Sequence, residues 1–60
     1  MNLNDLIDDI EEYKELGDMA YSKALEELAY YISHETRPKA KEMQDKLNKD
    51  YPDYPKVNVL

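Results

Sequence analysis

Leu3, Leu6, Ile7, Ile10 and Tyr13 recur at three- and four-residue intervals, the spacing that gathers side chains onto one stripe of an α-helix. Asn2 or Asn4 stands in front of that stripe as a helix N-cap. A second stripe, Tyr21, Ala24, Leu25, Leu28, Tyr31 and Ile32, has the same period and is embedded in Ala, Leu, Glu and Lys, which favour helix. A narrower third stripe, Ala40, Met43, Leu47 and Tyr51, follows Arg37-Pro38. The residue before a proline avoids helical dihedrals and Pro38 suits a first turn, so a new helix is predicted over about 38–50.

Leu16-Gly17-Asp18, between the first two stripes, has two readings. Gly17 as the glycine just past a helix end and Asp18 as a fresh N-cap give a helical hairpin with arms of roughly 14 and 16 residues. Yet at about 100° per residue the two stripes point the same way within about 20°, as in one helix from about residue 3 to 34, continuous or kinked at Gly17-Asp18. Gly17, Ala20 and Ala24 would then put a run of small residues on the apolar face. The phase favours the single long helix.

The expected fold class is all-α: a small helical hairpin or three-helix domain over 1–50, with an extended tail over 51–60, where Pro52 and Pro55 exclude helix. The closing Val57-Asn58-Val59-Leu60 suits a short strand, a core plug or a disordered end equally well.

A 60-residue chain buries only about 60% of the surface its unfolded form exposes. With no Cys there is no disulfide framework, and with one His there is no obvious zinc site to staple it. If the first helix is continuous, the stripe of Leu3, Leu6, Ile7, Ile10 and Tyr13 lacks a partner within the chain, which forgoes about 1.5–3 kcal/mol per large side chain left in water. A homodimer through the N-terminal helices is the simplest cover and is the expectation.

Charge adds a direction. The formal charge is −6, but residues 1–27 carry −7 and residues 28–60 carry +1. On a single helix the acids of the first half lie within about half the circumference, opposite the apolar stripe, and would line roughly 33 Å. Asp5, Asp8, Asp9, Glu12, Glu15, Asp18 and Glu26 are the candidate partner-binding face. A rigid row of carboxylates suits a basic groove built for nucleic-acid phosphates, since Lys and Arg respond to the field and not to its carrier. In charge and size the chain resembles the small phage-type inhibitors that mimic DNA. Its partner is therefore expected to be a protein, basic or nucleic-acid-binding, with no direct nucleic acid contact. The polar N-terminus offers no signal peptide or membrane span, which makes a cytoplasmic protein the default.

The six tyrosines divide by phase: Tyr13, Tyr21 and Tyr31 fall on apolar stripes, Tyr30 points away, and Tyr51 and Tyr54 flank prolines. Leu16, Met19 and Tyr30 form a possible second contact patch. His34 has no nucleophile or second ligand beside it in the sequence and is assigned no catalytic role.

One catalytic pattern stands against the binding reading. Glu11-Glu12-Tyr13-Lys14-Glu15 with Glu42-Met43-Gln44-Asp45 resembles the magnesium site of MazG-type nucleotide pyrophosphohydrolases, and Glu15-Leu16-Gly17-Asp18 separately resembles that family's second motif. The resemblance implies carboxylates of two facing helices holding Mg²⁺ and a triphosphate. The two matches overlap and exclude one another. The expectation is a non-enzymatic binding module without cofactor or metal, with a purely structural homo-oligomeric module as its main rival.

Overall fold

The structure, a computed structural model, describes residues 1–60. Three helices follow one another, α1 (Leu3–Glu15), α2 (Met19–His34) and α3 (Arg37–Asp50), and there is no strand.

Asn2 caps α1: its Oδ1 accepts from the Asp5 N–H at 2.9 Å, and Asp5 Oδ2 accepts from the Asn2 N–H at 3.2 Å, so two otherwise orphaned donors are satisfied reciprocally. Pro38 lies in the first turn of α3, where a missing N–H costs nothing.

The single helix over residues 3–34, favoured by the stripe phase, is not what forms. Gly17 adopts φ +85°, the left-handed region that side chains of L-residues resist. The Asp18 N–H donates to Tyr13 O at 2.9 Å and the Gly17 N–H donates to Lys14 O at 3.1 Å, which together make the Schellman closure of α1. Asp18 then starts α2, its Oδ1 accepting from the Tyr21 N–H at 3.2 Å. Phase agreement between the stripes was therefore coincidental, and the glycine followed by a capping aspartate carried the real signal.

Folding back lets α2 cover α1. Leu6 is fully buried and Ile10 nearly so, in one cluster with Tyr21, Leu25, Leu28, Leu47 and Val57; Leu3 and Tyr13 pack against it half-buried. Ile7 alone of that stripe stays exposed. The uncovered stripe that motivated a homodimer is thus absent. A buried cross-link adds to the pairing: Ser22 Oγ donates to the Ile10 carbonyl at 2.9 Å.

Helix α2 is the central element, packed on both α1 and α3, while those two do not pack on one another. The tail completes the core. Val57 is 3% exposed and belongs to the core cluster, so of the three fates open to the last four residues, a core plug is the one observed. Burial alternates through Val57, exposed Asn58 and half-buried Val59, with the period of an extended chain.

Candidate functional site

Helix α1 turns Leu6 and Ile10 inward, so residues about 180° away face solvent. Those are Asp5, Asp8, Glu11, Glu12 and Glu15, all exposed. From Asp5 to Glu15 they span about 15 Å of helix axis at 1.5 Å per residue. The one base of α1, Lys14, lies outside this face and reaches across to α2, its Nζ 3.4 Å from Glu26 Oε1.

The proposed acidic face is therefore reorganised. Asp5, Asp8, Glu12 and Glu15 share it as expected, and Glu11 joins them. Asp9 sits half-buried on the flank. Asp18 is withdrawn into the α1–α2 turn, where it caps α2 and its Oδ2 accepts a hydrogen bond from the Tyr54 hydroxyl. Glu26 lies on α2 and is engaged by Lys14. A row of roughly 33 Å required one long helix; the turn at Gly17 limits it to about half that.

The second patch also divides. Leu16 and Met19 are neighbours at the α1–α2 turn, 72% and 57% exposed. Tyr30 lies eleven residues beyond Met19, about 16 Å along α2, and its ring is 4.5 Å from that of His34 and 6.3 Å from that of Tyr31. The three residues do not make one patch.

The carboxylates that resemble a magnesium site are not brought together. Glu11, Glu12 and Glu15 lie on α1 and Glu42 and Asp45 on α3, two helices that do not pack on one another. No group of three acidic or histidine side chains is gathered closely enough to hold a metal ion. No helix is long and apolar enough to cross a membrane.

Two features were not legible as sites in the sequence. The first is an aromatic cluster that joins the tail to the hairpin. Tyr54 stacks on Tyr21 with ring centroids 3.9 Å apart, Tyr13 meets Tyr21 edge-on at 4.7 Å, and Tyr51 meets Tyr21 at 5.0 Å. Burial pushes the Tyr21 hydroxyl up to about 12. The hydrogen bond to the Asp18 carboxylate does the same for Tyr54, also to about 12. Tyr13 is raised by burial and, secondarily, by Asp9, Glu12 and Asp18. Tyr51, on the apolar stripe of α3, packs as that stripe predicts, whereas Tyr54, which the sequence marks only as flanking prolines, is brought into the packing by the fold.

The second is the seat of the tail on α3. Asn48 Nδ2 donates to the Val57 carbonyl and Asn48 Oδ1 accepts from the Val57 N–H, both at 2.8 Å. One turn earlier, Gln44 Oε1 accepts from the Val59 N–H at 2.8 Å and from the Leu60 N–H at 3.0 Å. Gln44 is 2% exposed. The available sequence signal was two amide side chains four residues apart beside an apolar stripe, which lie on one helix face.

Compared with protein families, characterised proteins and solved structures, the chain matches none.

Proposed function

We propose that this protein is an acidic binding module that inhibits or modulates a protein partner by presenting the outer face of α1 to a basic, nucleic-acid-binding groove. The observation that carries the reading is the density of unneutralised charge on that face. Asp5, Asp8, Glu11, Glu12 and Glu15 are exposed with no base among them. Five carboxylates over about 15 Å is roughly one charge per 4 Å, against about 3.4 Å per phosphate along one strand of duplex DNA. The capping box, the Schellman closure and the packing on α2 fix the α1 backbone, so the helix that carries the charges needs no folding on binding. A cytoplasmic partner with a Lys- and Arg-lined groove is the class that fits.

The test is a pull-down with the immobilised chain, washed in parallel at low and high salt and read by mass spectrometry, beside a variant with Asp8, Glu12 and Glu15 changed to Lys. Capture of a nucleic-acid-binding protein that is lost at high salt and absent with the variant supports the proposal. A partner retained equally by the variant would overturn it and point to the apolar pair Leu16 and Met19, the contact a structural module would use.

A further inference from the structure

The seat of residues 57–60 has the construction of a peptide-binding site. Four hydrogen bonds join α3 to the tail, each between a side-chain amide of Asn48 or Gln44 and a main-chain atom, one donated by Asn48 and three donated by tail N–H groups. An amide that both donates to and accepts from one residue's backbone imitates the partner strand of a sheet, so it recognises non-helical chain whatever its side chains. Specificity comes chiefly from the Val57 side chain, buried in the core cluster with Leu6, Ile10, Tyr21, Leu25, Leu28 and Leu47. Asn58 points outward and Lys56 is exposed. Upstream, Tyr54 adds a ring on Tyr21 and a hydroxyl to Asp18.

We propose that this seat, made by α3 and the core cluster, is a receptor for a non-helical peptide with a β-branched anchor, that the chain's own tail fills it in cis, and that it takes the same segment in trans from a second copy. A second copy's tail is complementary by construction, since every contact it would make is one the cis tail already makes. The connection permits exchange: between the end of α3 and the seat lie Tyr51-Pro52-Asp53-Tyr54-Pro55, whose only backbone hydrogen bond after the α3 cap is from the Tyr54 N–H to Tyr51 O at 3.2 Å. Pro52 occupies the second position of that Tyr51–Tyr54 turn, which restricts the hinge to few conformations, and this single bond is all that the hinge main chain gives up when the tail leaves its own seat for another. Self-association then rests on the tail and not on an exposed α1 stripe, and it is independent of what the acidic face binds.

The experiment uses full-length chains and a fluorescent peptide of residues 51–60, followed by anisotropy. In the wild type the cis tail competes at an effective concentration on the order of millimolar, so trans binding is weak. Val57→Asp removes the anchor from the cis tail and leaves every side chain of the receptor unchanged. This chain should bind the peptide at least about a hundredfold more tightly than the wild type does. Adding Asn48→Ala to it should cost about tenfold or more, and the peptide carrying Val57→Asp should not bind. Should the Val57→Asp chain lack helical circular dichroism, Val57→Ala, which keeps the main-chain bonds, takes its place. Mixing the Val57→Asp chain with an Asn48→Ala chain should give a one-to-one complex in sedimentation. No saturable binding by either Val57 variant, or binding indifferent to Asn48 and to the anchor, overturns the receptor; peptide binding without the mixed complex overturns exchange between copies.

Discussion

Changing Gly17 to alanine separates the hairpin from the long helix by the sign of its effect. In a helix interior, glycine is about 0.8–1.0 kcal/mol less favourable than alanine, so on a continuous helix Gly17→Ala would stabilise. In the hairpin Gly17 holds φ +85°, where an L-residue pays about 1–2 kcal/mol. A Cβ built on Gly17 meets nothing within 4 Å, so no clash adds to this, and the whole effect is conformational. Alanine also narrows the unfolded ensemble, which returns about 0.4–1 kcal/mol. The net expectation is a loss of about 1 kcal/mol, or about 4–8 °C in Tm for a chain of this size. Thermal denaturation followed at 222 nm measures it. D-alanine at the same position, accessible by total synthesis, relaxes in the left-handed region and should raise Tm, which controls for any effect of the methyl group itself. A rise with L-alanine, or a fall with D-alanine, would refute the Schellman turn as the device that reverses the chain.

Three further outcomes follow from the packing. Val57→Ala removes two methyl groups from a site 3% exposed and should cost about 2 kcal/mol, read as a lower urea midpoint; an unchanged midpoint would mean the tail does not plug the core. Ser22→Ala deletes a buried donor to the Ile10 carbonyl and should cost about 1 kcal/mol in the same assay, where a neutral result would deny that the α1–α2 bond contributes. Stability should also fall in alkali: Tyr21 and Tyr54 ionise near 12 in the folded chain and near 10 when unfolded, so protonation favours the fold fully below pH 10 and that contribution is lost as pH rises from 10 to 12. Tyr54→Phe should make the decline shallower, and urea midpoints between pH 8 and 11.5 that fall as steeply in this variant would rule out its bond to Asp18 as a source.

The sequence by itself determined the all-α class and where the apolar stripes of the helices lie, because stripes, caps and prolines act within a few residues. Asn2 and Asp5 cap α1 over three residues, and Pro38 lies in the first turn of α3. The outward acids of α1 were legible for the same reason: once Leu6 and Ile10 face inward, helical geometry alone puts Asp8 and Glu12 outside. Tertiary structure decided the rest. Phase could not choose between a long helix and a hairpin, since the dihedral of one glycine separates them and only the packing gained by folding back selects it. Withdrawal of Asp18 and the pairing of Glu26 with Lys14 are consequences of that reversal, so the extent of the acidic face was not readable in advance. The tail was the least legible of all. Asn48 finds Val57 across nine residues of chain, Gln44 finds Val59 and Leu60 across fifteen and sixteen, and Tyr54 meets Asp18 across thirty-six, through contacts that exist only once the helices have packed. Local pattern carries no record of a space created by three helices together, and that is where the last residues of this chain find their place.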